Sequence, residues 1–100
     1  MTGLRLDPYV VDTLMADLVD HDRSAASFLV YLWLWAECAR VAGRRKQVER
    51  SLREIAEGTG VSKRAVQSAL ARLKRRKLVA ATRTSITATP VYVVLTPWRR

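Results

Sequence analysis

SLREIAEGTGVSKRAVQSALARLKRRK, residues 51–77, reads as two short helices joined by a tight turn. Ser51 followed three residues later by Glu54 is a capping box, in which each side chain satisfies an amide the first helical turn leaves free. Leu52, Ile55 and Ala56 then share one face of a short helix. Gly58 and Gly60 bracket Thr59, and either suits a positive φ at the helix end. Val61 fills the corner, and Ser62 has the chemistry of an N-cap for the second helix. There Val66, Ala69, Leu70 and Leu73 follow the i, i+3, i+4, i+7 rule and define a buried stripe. Turning about 100° per residue from Val66 places Arg64, Ser68, Ala71 and Arg75 opposite that stripe. Gln67 and Arg72 flank them, and Lys63 stands at the exposed start.

Upstream lies a helix over 24–41 whose centre, Phe28 to Ala36, has no polar face. Phe28, Leu32, Trp35 and Ala39 form one side; Val30, Trp33, Leu34 and Val41 form the other. The run is shorter than the roughly 20 residues a bilayer needs, so it must be covered by protein on both sides. Two covers are open: a second subunit seated on Val30, Trp33 and Leu34, or the helix expected over 8–19. That N-terminal helix starts at Asp7-Pro8, an N-cap followed by proline at the first position, and carries the stripe Val11, Leu14, Met15 and Leu18. Between the two helices, His21 is expected to bond to Asp20 or Asp22.

Downstream of Lys77 the pattern changes from helical to β-branched, giving strands over 78–82 and 91–95, with Arg83 near the tip of their connection. Pro90 suits a strand end. Gly43-Arg44-Arg45-Lys46 is a basic loop. Trp98 is expected to pack back on the domain, with Arg99 and Arg100 frayed.

One hundred residues make one domain, 1–100, with a modest core. The net charge of +9 is unevenly placed. Residues 1–37 carry six acids and two bases, and residues 38–100 carry three acids and sixteen bases. A basic C-terminal part is the electrostatic footprint of a polyanion partner. Cys38 stands alone and His21 stands alone, so no internal disulfide and no paired zinc spacing exist; a core role is expected for Cys38. No signal peptide is legible, and a reducing cytoplasm is the compartment that fits. No nucleophile elbow, phosphate loop or metal-ligand spacing points to an enzyme, a metal or a cofactor, and no small-molecule ligand is inferable.

The segment GTGVSKRAVQSALARL resembles the helix-turn-helix of bacterial winged-helix DNA-binding proteins, of regulator or mobile-element replication-initiator type. Ala56 matches the small residue where the two helices cross, Gly60 the turn glycine, and Val61 and Val66 the apolar positions after it. The resemblance extends to about Trp98. It implies a mainly α fold with a small β-hairpin wing, here with an extra N-terminal helix, and implies that Gln47 to Arg50 is a short strand pairing with that hairpin. It also implies binding of double-stranded DNA, with the 62–77 helix in the major groove and the wing on the backbone or minor groove. On that reading Arg64, Gln67, Ser68 and Ala71 face base edges: arginine can bond guanine O6 and N7, glutamine adenine N6 and N7, and a small residue permits close approach. Lys63, Arg72 and Arg75 would hold phosphates, with Arg44, Arg45, Lys46 and Arg83 in support. The plainer reading of these cations is a solvated face; bases in a last turn also favour the helix dipole. A transcriptional regulator, acting as a homodimer if a second subunit covers the apolar helix, leads the functional expectations. A replication or maintenance factor of a plasmid or phage, and a winged-helix protein-interaction module, are the alternatives.

Overall fold

The computed structural model describes residues 5–21, 23–41 and 47–99. Helix α1 (Ala25–Arg40) is the element around which the rest is laid. Ser24 caps it, accepting from the Ser27 amide at 3.1 Å. The buried hydroxyl of Ser27 is satisfied by Ser24 Oγ at 2.6 Å. Phe28, Val30, Tyr31, Leu34, Trp35 and Cys38 are all buried and span much of the helix circumference, so the missing polar face has a structural cause. The N-terminal segment, two later helices and two strands all lie against α1.

The segment before it is helical over residues 8–21, close to the expected 8–19, but its winding differs from a plain α-helix. Val10–Leu14 and Asp17–His21 are π-helical. The inward residues are Val10, Leu14 and Leu18, spaced by four. In an α-helix that spacing drifts by about 80° over two steps, and the wider π turns keep all three on one side. The expected stripe of Val11, Leu14, Met15 and Leu18 is therefore corrected: Val11 and Met15 are among the exposed apolar residues. The segment ends where Arg23 takes a positive φ of 55° and the Ser24 amide reaches back to the Leu18 carbonyl at 2.8 Å.

The single chain covers part of the side of α1 expected to face a partner. Val30 and Leu34, expected on a side offered to a partner, are each 0 % exposed. Trp33 is half-buried, and its indole edge lies against Gly58. Ala39, expected on an inner side, is exposed.

Helix α2 (Leu52–Thr59) begins with the anticipated capping box: the Glu54 amide donates to Ser51 Oγ at 3.1 Å, and the Ser51 amide to Glu54 Oε1 at 2.8 Å. Gly60, at φ 78°, ends it, and its amide bonds to the Ala56 carbonyl at 2.9 Å. Helix α3 (Lys63–Arg75) starts at Ser62, which accepts from the Ala65 amide at 3.2 Å. It ends in a Schellman pattern. The Leu78 amide bonds to the Leu73 carbonyl at 2.9 Å and the Lys77 amide to the Lys74 carbonyl at 3.0 Å. Lys77 takes the left-handed position at φ 58°, where glycine is commoner, and buried Leu73 and Leu78 flank the crossing.

Three antiparallel strands complete the fold: β1 (Gln47–Glu49), β2 (Val79–Thr82) and β3 (Val91–Val94), in the order β1-β3-β2. Tyr92 on β3 faces Val48 on one side and Ala81 on the other. Val48, Tyr92 and Val79 are buried on the face toward the helices, while Gln47, Glu49, Ala80 and Thr82 point outward. Pro90 precedes β3, and its carbonyl accepts from the Arg50 amide at 3.1 Å.

The two ends of the chain meet in an aromatic clasp. Trp98 stacks on Tyr9 at 4.6 Å and lies parallel to Trp35 at 6.3 Å. Its indole N–H donates to Asp7 Oδ2 at 2.9 Å. The Arg99 guanidinium forks onto the same carboxylate at 2.6 and 2.7 Å and lies over the Trp35 ring. Two expectations are corrected here. The Asp7 side chain is spent on Trp98 and Arg99 rather than on capping, and Arg99 is held rather than frayed. Tyr31 is sealed beneath, its hydroxyl donating to the Leu95 carbonyl at 2.9 Å, and burial raises its pKa. His21 lies 3.9 Å from Asp17, and Asp22, one of its two expected partners, lies outside the described residues.

Candidate nucleic-acid interface

Helix α3 divides cleanly into two faces. Val66, Ala69, Leu70 and Leu73 are buried against α1, α2 and the sheet. Lys63, Arg64, Gln67, Ser68, Ala71 and Arg75 are exposed, and Arg72 is half-buried. Four-point burial of this kind fixes the rotation of a helix, so the outer side chains leave from a defined direction. At 13 residues α3 is about 20 Å long, and a helix of ordinary diameter fits the roughly 12 Å major groove of duplex DNA.

The electrostatics of this face depend on where the acids are held. Glu37 is held by Arg40 at 2.6 Å and by Arg50 at 3.0 Å. Glu57 pairs with Arg53 at 2.9 Å, and Asp17 pairs with Arg76. The Glu54 carboxyl is drawn below its usual pKa, first by the Ser51 amide it accepts from. Asp7 is likewise lowered, first by its bond to Arg99 and then by Trp98. Among the described residues none forms an ion pair with Lys63, Arg64 or Arg75. The last acid in the chain is Glu57, so residues 58–100 carry ten bases and no carboxylate side chain.

Arg83 is exposed at the start of the β2–β3 connection, and its Nη1 donates to the Ile86 carbonyl at 3.1 Å. Arg44, Arg45 and Lys46 lie outside the described residues, immediately before β1. Of the three residues expected to form a partner surface, Val30 and Leu34 are core and Trp33 is half-buried. The apolar groove that does reach solvent on α1 is lined by Leu29, Leu32, Trp33 and Ala36, with Leu6 and Thr59 at its edges. Cys38 is buried, and burial raises its thiol pKa, so its thiolate is disfavoured.

Two features of the site escape a reading of periodicity. Arg76 belongs to the basic run ending α3, yet it is turned back to Asp17 and ties that helix to the N-terminal segment. Ile86 is 90 % exposed at the tip of the β2–β3 connection. The signal for Ile86 was present in the sequence, as a single large apolar residue in the polar run Thr82 to Thr89.

Comparison of the chain with protein-family models, with curated proteins and with solved structures found no match. No helix of the described residues is long and apolar enough to cross a membrane.

Proposed function

We propose that this chain is a winged-helix protein that binds double-stranded DNA, with α2 and α3 as its helix-turn-helix and the β2–β3 hairpin as its wing. The observation that carries the reading is the outer face of α3. It presents Lys63, Arg64, Gln67, Ser68, Ala71 and Arg75 to solvent, with no ion pair to the three cations among the described residues, from a helix whose rotation is fixed by its buried face. Arg64, Gln67 and Ser68 are the candidates for base edges, with Ala71 leaving room for approach. Lys63, Arg75 and Arg72 are the candidates for phosphates. The acid-free 58–100 stretch supplies the surrounding field. On this reading its role is that of a transcriptional regulator.

A protein-docking role for the same fold is weaker on one specific ground. The side of α1 on which it depended has two of its three residues, Val30 and Leu34, inside the core. The two readings separate in a binding experiment on selected and random duplexes. Arg64→Ala should reduce the preference for the selected duplex by about tenfold or more, while Lys63→Ala should weaken both duplexes alike. Equal losses on both duplexes for Arg64→Ala would contradict base reading by that residue.

A further inference from the structure

The connection between β2 and β3 is an organised loop around a residue it does not use. The Ala88 amide closes a turn onto the Ser85 carbonyl at 3.2 Å. Arg83 Nη1 donates to the Ile86 carbonyl at 3.1 Å, and the hydroxyls of Ser85 and Thr87 meet at 3.3 Å. Ile86 is the residue held up by this frame, and it is 90 % exposed, whereas the other exposed large apolar residues lie between 36 and 48 %. Turns favour Gly, Pro, Asn, Asp and Ser for reasons of backbone geometry and local hydrogen bonding, none of which isoleucine satisfies. The loop otherwise obeys that preference for small and polar residues: Thr84, Ser85, Thr87, Ala88 and Thr89 surround the one aliphatic side chain. Its neighbourhood in sequence carries cations and no acid.

Resting on the DNA-binding reading, we propose that Ile86 is a wedge that enters a base step of the bound duplex from the minor groove and bends the DNA. An aliphatic tip on a basic loop has the two properties this needs. Arg83 is drawn to the phosphates that line the groove, and Ile86 gains by leaving water between bases, which offsets the cost of unstacking them. The bend would be toward the major groove, the side that α3 occupies. The site is selective through DNA deformability: a pyrimidine–purine step, TA or CA/TG, unstacks most readily and is the step assigned to Ile86. Specificity would thus arise at a position that makes no hydrogen bond to protein.

The test uses the intact chain on a selected duplex with 2-aminopurine beside its TA or CA/TG step and dyes at both ends. Wild-type protein should raise the 2-aminopurine emission and bend the duplex by about 20–90°. Ile86→Ala should lose both signals and about tenfold in affinity, while Ile86→Leu keeps them. Both variants should melt with the wild type, because Ile86 lies outside the core. A duplex bound but left straight by wild type, or bent equally by Ile86→Ala, overturns the wedge and leaves the DNA-binding reading standing. Failure of wild type to bind any duplex overturns both.

Discussion

Gly58 and Gly60 stand two residues apart and answer different physical demands. Gly60 needs its φ of 78°, and a Cβ there would meet nothing within 4 Å. Gly58 lies within α2, and a Cβ on it would fall 2.3 Å from Trp33 Nε1 and 2.6 Å from Cζ2. Gly60→Ala should therefore cost about 1 kcal/mol through backbone strain. Gly58→Ala should cost about 1–3 kcal/mol through overpacking, and much of that should vanish in a Trp33→Ala background. Urea unfolding of the single and double variants measures the coupling; strictly additive losses would contradict the contact. The difference between the glycines was hidden from the sequence, because it depends on a tryptophan brought in from another helix. Ser51, Glu54 and Ser62 were legible because a cap acts within three or four residues of itself.

Among the elements, α3 was the most readable. Val66, Ala69, Leu70 and Leu73 keep helical spacing, carry no competing pattern and are all buried as expected. The two strands of the hairpin were also legible, from β-branched composition, whereas β1 was expected only from the winged-helix resemblance. The N-terminal segment was read as a helix of nearly the right length but rotated. Its sequence offers two parallel rows, Val10-Leu14-Leu18 and Val11-Met15-Val19, each spaced by four. An α-helical period of 3.6 residues favours neither row, and the π-helical winding suits both; the fold buries the first and leaves Val11, Met15 and Val19 exposed. The same choice decides the fate of α1. A helix apolar on all sides could be covered by a second subunit or by its own chain, and local pattern is blind to that alternative. Val30 and Leu34 are buried inside the single chain, while Leu29 on the same helix stays exposed.

At the scale of the whole molecule, charge and termini are arranged separately. Three of the six acids in residues 1–37 are turned to internal tasks: Asp7 holds Arg99, Asp17 holds Arg76 and Glu37 holds Arg50. The asymmetry was legible from the composition of the two halves, but these pairings were not, since each joins residues far apart in sequence. The clasp has a definite pH dependence. The pKa of Asp7 is lowered in the folded chain, chiefly by Arg99, from an ordinary value of 3.8. Its contribution to stability is therefore complete above that value and disappears as the pH falls through the lowered one. Asp7→Asn should be less stable than wild type at neutral pH, with the gap closing as the pH falls through the lowered pKa of Asp7. Denaturation followed by tryptophan emission, which Trp35 and Trp98 report from within the clasp, checks this; a gap independent of pH would contradict it. The central claim concerns the opposite end of the charge distribution, the outer face of α3. Its most direct test is selection from a random duplex library, with the affinity of the winners measured between about 50 and 200 mM salt. The account predicts a defined motif whose advantage over random DNA survives the higher salt, even as total affinity falls. Binding that enriches no motif and collapses toward zero with salt would contradict it.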